Sequence, residues 1–170
     1  MIIRPETPAD HTVIRKINIA AFATHPFSRQ TEHLNVDALR EDGALTLSLV
    51  AEEPSATGSR VAGHIAFSEA HVEGRDLGWF LLGPVAVWPD LQRKGVGSKL
   101  VLEGLAELRR RNASGCVLVG DPAYYARFGF RQATTLIYPG VPPQYLLILS
   151  LFGSEPSGML SHHPAFDIEP

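Results

Sequence analysis

Cysteine is nearly missing from this chain. Cys116 is the only one, which excludes an intramolecular disulfide and any zinc cluster built on several thiolates, and points to a reducing compartment. Long apolar runs are missing as well. No stretch approaches the roughly 18 consecutive apolar residues of a membrane-spanning helix, and residues 81–88 are interrupted by Gly83 and Pro84. There is no excess of positive charge: 15 basic against 18 acidic residues leave a net charge of −3, so nothing draws nucleic acid or an anionic membrane to the surface as a whole. Any anionic ligand has to be held by local geometry. The first ten residues carry charges and two prolines where a signal peptide would carry an apolar run. These absences predict a cytoplasmic protein that engages neither membrane nor nucleic acid.

The chain has 170 residues, 45% hydrophobic and 19% charged, the size and composition of one globular domain spanning 1–170. Residues 2 and 3 read as the end of a short strand. Thr7 then caps a helix with Pro8 at its first position, and Val13, Ile14, Ile17 and Ala21 fall on one face. A second helix is expected over residues 30–40, where Leu34, Ala38 and Leu39 lie near helical spacing. From Leu45 the period changes to two: Leu45, Leu47, Leu49 and Ala51 alternate with smaller or polar residues. A turn over 53–59, a long strand over 61–72, a loop over 73–78 and a buried strand over 79–88, kinked at Gly83-Pro84, follow.

Residues 97–111 form the most clearly patterned helix, with Val101, Leu105 and Leu108 on one stripe and Lys99, Glu103 and Glu107 facing away. A short strand over 116–119, a short helix opened by Asp121-Pro122 and closed at Gly129, and strands near 134–138 and 145–151 complete the set. Residues 153–170 show no period and read as an irregular tail. A strand–helix–strand unit over 81–119 implies a right-handed parallel crossover, whereas the preceding hairpin implies antiparallel pairing. The expected fold is therefore α/β (α+β): a mixed, mostly antiparallel central sheet with helices on both faces.

The chemistry concentrates in Gly83-Pro84-Val85-Ala86-Val87-Trp88-Pro89-Asp90-Leu91-Gln92-Arg93-Lys94-Gly95-Val96-Gly97, which puts a glycine-rich turn between a buried strand and a strong helix. Such a turn can aim successive N–H groups into one concavity, and the helix N-terminus adds about half a positive charge. That suits a pyrophosphate. Side chains at Gly95 and Gly97 would block close approach of the backbone to phosphate oxygens or forbid a positive φ, and Arg93 and Lys94 add charge at the rim. A loop that merely connects strand to helix would look the same taken alone. A dinucleotide fingerprint would want glycine where Leu100 stands, and a nucleoside triphosphate loop would want Gly-Lys-Ser/Thr; neither is present.

The segment Gln92-Arg93-Lys94-Gly95-Val96-Gly97 resembles the pyrophosphate loop of the GNAT superfamily of N-acetyltransferases, Gln/Arg-x-x-Gly-x-Gly/Ala, and it follows Pro84-Val85-Ala86-Val87, a strand of the matching type. Tyr124-Tyr125-Ala126-Arg127-Phe128-Gly129-Phe130 resembles a second superfamily segment, aromatic-Tyr-x-x-x-Gly-Phe, in the same order along the chain. The likeness runs from Ile3 through Phe130, and Gly120-Asp121-Pro122-Ala123-Tyr124-Tyr125 is similar to one bacterial subgroup of acetyltransferases.

The resemblance implies a splayed parallel strand pair whose gap takes the pantetheine arm of acetyl-CoA. It implies direct transfer of the acetyl group to a primary amine of a small molecule or protein, with no metal and no acyl-enzyme, and at family level a homodimer. The implied donor-binding set is Val85, Ala86, Val87, Gln92, Arg93, Lys94, Gly95, Val96, Gly97 and Ser98. The amide of Val85 or Val87 would stabilise an oxyanion and Tyr125 would serve as general acid, although a packing role for Tyr125 fits the residue type equally. For the base, Glu32, His64, Glu69 and His71 are candidates, with His64 favoured by its near-neutral titration. Cys116 reads as a small packing residue and His162-His163 as polar tail residues without a third metal ligand. The rival readings are a non-catalytic acyl-CoA sensor and a structural interaction protein.

Overall fold

A computed structural model describes residues 1–56 and 58–170. Strand β1 (Ile2–Pro5) leads into a 3-10 turn over Pro8–Asp10 and helix α1 (His11–Phe22), followed by α2 (Glu32–Glu41). The N–H and hydroxyl of Thr7 both donate to the Asp10 carboxylate, at 2.8 and 2.9 Å, so the helix entry is tied where the capping pattern puts it. Strands β2 (Leu45–Ser55), β3 (Gly58–Val72) and β4 (Arg75–Val87) form an antiparallel meander. Both connections are shorter than the sequence suggests. The expected turn over 53–59 and loop over 73–78 are mostly strand, because the long ladders of β2 on β3 and β3 on β4 recruit Pro54, Ser59, Arg75 and Asp76 into register.

Helix α3 (Val96–Arg110) crosses from β4 to β5 (Gly115–Val119), the parallel crossover expected. A short helix α4 (Pro122–Tyr125) is capped by the Asp121 side chain, which accepts from the Ala123 N–H, and runs through a 3-10 turn to Gly129 at φ +92°. Strands β6 (Arg131–Gln132), β7 (Leu136–Ile137), β8 (Leu146–Ser150) and β9 (Gly158–Ser161) complete the sheet, whose order is β1-β2-β3-β4-β5-β8-β6, with β9 joined to β3 and β7.

The tail is not irregular. β9 pairs with β3 through His71↔Ser161 and Val72↔Leu160, and a 3-10 turn over Pro164–Asp167 packs on α2. Four residues at the end of a sheet carry too little periodicity to be read as a strand; they are recruited by the free edge of β3.

The sheet has two apolar faces. On one, Ile65, Phe67, Leu82, Cys116 and Leu118 meet Val101, Leu105 and Leu108 of α3. On the other, Val50, Ala66 and Ala86 meet Ile14 and Ile17 of α1, while Trp79, Leu81 and Val117 meet Leu146 and Ile148. Gly104 lets α3 sit close: a Cβ there would lie 2.5 Å from the Phe67 ring.

Candidate active site

The kink at Gly83-Pro84 opens the site. Ile65 pairs with Val85 and Phe67 with Leu82, so Ala66 of β3 alone faces Gly83 and Pro84 of β4, a β-bulge at the Gly-Pro pair. Beyond it β4 follows β3 alone. The parallel ladder of β4 on β5 runs from Trp79↔Gly115 to Leu81↔Val117 and stops there, while Leu118 and Val119 pair only with β8. The two strands therefore fork, leaving residues 85–87 without a partner on the β5 side.

Backbone alternation decides what faces the fork. The Trp88 N–H donates to the Ala62 carbonyl of β3 at 3.2 Å, so the neighbouring Val87, and Val85 two residues before it, turn their N–H and C=O groups the other way. The Val87 carbonyl does point outward, where it accepts from Gln92 Nε2 at 3.2 Å. Thus Gln92 ties the loop to the end of β4 with its side chain.

After a 3-10 turn over Pro89–Leu91 the chain reaches the helix through two left-handed residues, Arg93 (φ +60°) and Gly95 (φ +85°). None of the N–H groups of residues 93–98 makes a short, well-aligned hydrogen bond to another described residue; the first such amide is that of Lys99, to the Gly95 carbonyl at 3.1 Å. Six adjacent donors at a helix N-terminus are thereby left for an external acceptor. The Val96 side chain is buried in the core, so only its backbone is offered, whereas Arg93 and Lys94 are exposed.

The two glycines differ. Gly95 needs its positive φ, and a Cβ there would meet nothing. Gly97 has an ordinary helical backbone, so the expectation that glycine is conformationally required holds at one position only. A Cβ on Gly97 would look into a space bounded by the Tyr124 hydroxyl at 3.5 Å, Val87 Cγ2 at 3.8 Å and Val85 Cγ1 at 3.9 Å. That space joins the helix N-terminus to the fork.

The adjacent tyrosines divide between two places. The Tyr124 hydroxyl lies 3.4 Å from Ser98 Oγ, over the start of α3. Tyr125 is half-buried against the α3-side core, its ring edge-on to Phe130, and Gly120 leaves room for it, since a Cβ there would lie 2.6 Å from the ring. Burial pushes the Tyr125 phenol well above its ordinary range, with smaller contributions from Tyr124 and Cys116, so it stays protonated at neutral pH. Burial likewise raises the Cys116 thiol, which is inert to solvent in this state.

The candidate bases are scattered. His64 is 0% exposed, with Nε2 at 2.9 Å from Ser48 Oγ and Nδ1 at 3.3 Å from Asn18 Nδ2. Ser48 donates in turn to Glu6, which Arg40 holds with two bonds of 2.8 and 3.0 Å. Burial lowers His64 to about 4, which corrects the near-neutral titration expected of it. Glu32 accepts from Ser28 Oγ at 2.5 Å and lines a recess of about 150 Å³ between α1 and α2, together with Asn18 and Phe22. Glu69 and His71 contact each other at 3.3 Å on the exposed end of β3.

One cluster was not legible as chemistry in the sequence. Tyr138 Oη and His162 Nδ1 are hydrogen-bonded, and His162 Nε2 lies 2.7 Å from Asp167 Oδ1. The tail histidine is thus not a loose polar residue. Only the fold closes the 24 residues between Tyr138 and His162.

A forked parallel pair leading to a helix N-terminus with unbonded amides defines an acyl-CoA-type transferase site, and the comparisons agree. The model of the acetyltransferase (GNAT) domain matches residues 45–132, and the chain belongs to this family. It is 40% identical over 133 residues to the N-acetyltransferase YhbS of Escherichia coli K12, itself described as uncharacterized; the match covers 78% of this chain and 75% of that one.

Among solved structures, a GNAT family acetyltransferase from Brucella melitensis in complex with acetyl-CoA is 46% identical, with a TM-score of 0.86 and coverage of 98% of this chain and 97% of that one. The Escherichia coli YhbS structure in complex with CoA is 34% identical, with a TM-score of 0.82 and coverage of 98% and 92%. The chain is an N-acetyltransferase of this family by sequence and by fold. Among the described residues no group of three or more His, Cys, Asp or Glu is placed to hold a metal ion, and no helix is long and apolar enough to cross a membrane.

Proposed function

We propose that the chain transfers the acetyl group of acetyl-CoA directly to a primary amine of a small molecule or protein, with residues 1–170 acting as one acetyltransferase domain. The observation that carries this reading is the continuity of the β4–β5 fork, which begins beyond Leu81 and Val117, with the unbonded amides of residues 93–98. The pyrophosphate is held by those amides with Arg93, Lys94 and Ser98 around them, and the pantetheine arm lies along Val85, Ala86 and Val87. Gln92 acts by bracing the loop on the Val87 carbonyl.

Acetyl-CoA supplies an activated thioester carbonyl. The outward N–H of Val85 or Val87 donates to its oxygen as negative charge develops during amine attack. The Tyr125 phenol, protonated through its burial, gives a proton to the departing sulfur. His64, with both ring nitrogens engaged in the core, holds α1 to β3 and positions the acceptor face. Glu32 at the recess between the helices contacts the acceptor rather than the donor.

The lone buried cysteine and the negative net charge support a cytoplasmic setting, and the exposed apolar residues Phe27, Ile137 and Met159 leave room for a homodimer contact.

The test is calorimetric titration with CoA followed by release of free CoA thiol from acetyl-CoA across a panel of amines. Binding together with amine-dependent release is expected. Tight CoA binding with no transfer would favour a sensor, and no binding at millimolar CoA would remove the donor site.

A further inference from the structure

The acceptor amine must lose a proton before it can attack, and none of the four base candidates read from the sequence stands free beside the fork. Tyr138 approaches from the right side. Alternation along β4 and β5 sends Leu82, Cys116 and Leu118 to the face where Tyr125 packs, and Leu81 and Val117, the last paired residues before the fork, to the opposite face. Tyr138 packs against the cluster containing Leu81 and Val117. The two phenols thus meet the paired strands from opposite sides, one on the α3 side and one on the side of α1 and α2.

Behind Tyr138 stands His162, and behind His162 the carboxylate of Asp167, 70% exposed to solvent. The Phe166 ring, 5.6 Å away by centroids, packs edge-on to His162. Arg29, from the connection between α1 and α2, donates to the Phe166 carbonyl at 3.3 Å, which brings the acceptor-side helices to the cluster. The other titratable groups around His162 are His163, facing Asp42 at 3.8 Å, and His71 with Glu69, on the strand that pairs with Ser161.

We infer that Tyr138, His162 and Asp167 form a proton relay that deprotonates the acceptor amine on the face of the sheet opposite Tyr125. The inference rests on the transferase reading above. In the step, one N–H bond of the incoming ammonium breaks and its proton forms a new O–H bond on Tyr138. The original Tyr138 proton passes at the same time to Nδ1 of His162. The amine keeps the electron pair with which it attacks. His162 becomes an imidazolium whose Nε2–H donates to Asp167, and that proton then leaves through the exposed carboxylate to solvent, which returns His162 to its neutral form. Tyr138 is never left as a phenolate, in keeping with its burial.

The experiment compares acceptors of different basicity in the full-length protein. Alkylamines arrive almost wholly protonated at neutral pH, as a lysine side chain does, whereas hydroxylamine arrives mostly neutral and has no proton to give up before it attacks. Asp167→Asn, at a carboxylate 70% exposed to solvent, His162→Gln and Tyr138→Phe should each lower kcat/KM for alkylamines, by about 10²-fold or more, the scale of general base catalysis. The acid-side limb of the pH profile should move with them, Asp167→Glu should restore most of the rate, and the effect on hydroxylamine should be far smaller, at unchanged CoA affinity.

Wild-type alkylamine rates and pH profiles in Asp167→Asn and His162→Gln would overturn the relay, as would equal losses with alkylamines and hydroxylamine. A wild-type protein that binds CoA yet acetylates no amine overturns the relay and leaves the donor groove standing; failure to bind CoA overturns the groove as well.

Discussion

Gly97 separates donor binding from folding, because its backbone and its neighbours accept a side chain while a donor bound beside it would not. Its φ is ordinary and a Cβ would contact Tyr124, Val87 and Val85 at 3.5–3.9 Å, normal packing distances. A leucine at this position extends further into the space between the fork and the helix N-terminus, and its higher helix propensity offsets part of any crowding. Gly97→Leu is therefore expected to unfold within a few degrees of wild type without ligand.

With CoA present the two proteins should part. A ligand at 100 times its dissociation constant adds about 2.7 kcal/mol, which for a domain of this size raises Tm by roughly 8 °C. If the leucine weakens binding 100-fold, the same concentration adds only about 0.4 kcal/mol, a shift of roughly 1 °C. Gly95→Ala is the converse. No atom lies near the added methyl, but φ is +85°, so the cost is conformational, about 1–2 kcal/mol, and it falls on the free protein. Scanning calorimetry of both variants with and without CoA reads the pattern. A full CoA shift in Gly97→Leu would refute the placement of the donor beside Val85 and Val87.

Three further outcomes are expected. Tyr125→Phe should lower kcat by about 10²-fold or more with CoA affinity nearly unchanged, as steady-state kinetics and calorimetry will show; wild-type turnover would remove Tyr125 as the acid. His64 must stay neutral in the folded protein, where it titrates at about 4, while the unfolded chain takes up a proton near 6.5; stability therefore falls as pH drops through this window, by about 3 kcal/mol. Urea denaturation at pH 7 and pH 4.5 tests this, and His64→Gln should flatten that dependence. Cys116→Ala should retain wild-type turnover at some cost in stability, and the native thiol should react with a disulfide reagent only after unfolding; loss of acetyl transfer would mean that the thiol takes part in the reaction.

The order of elements was legible because each is written in local periodicity: the α3 stripe, the alternation of β2, the Asp121-Pro122 cap and the Gly129 stop all depend on residues within a few positions of one another. The glycine-rich turn at the head of α3 was legible for the same reason, since its shape depends on backbone and glycine, and glycine is visible in a sequence. Several other features were not. The extension of β2, β3 and β4 through the presumed loops comes from ladders between long strands. The strand in the tail exists only because β3 has a free edge for it.

His64 shows the same limit in chemical form. Its residue type promises titration near neutrality, but burial among Asn18, Ser48 and Glu6 removes that property, and burial belongs to the whole chain. Local sequence determined the helices, the central parts of the longer strands and the glycine-rich turn before α3, because their causes lie within a few bonds. The fork between β4 and β5, the division of Tyr124 from Tyr125 and the meeting of Tyr138 with His162 and Asp167 were decided by tertiary structure. Distances between residues far apart in the chain are set only when the sheet closes over its two cores.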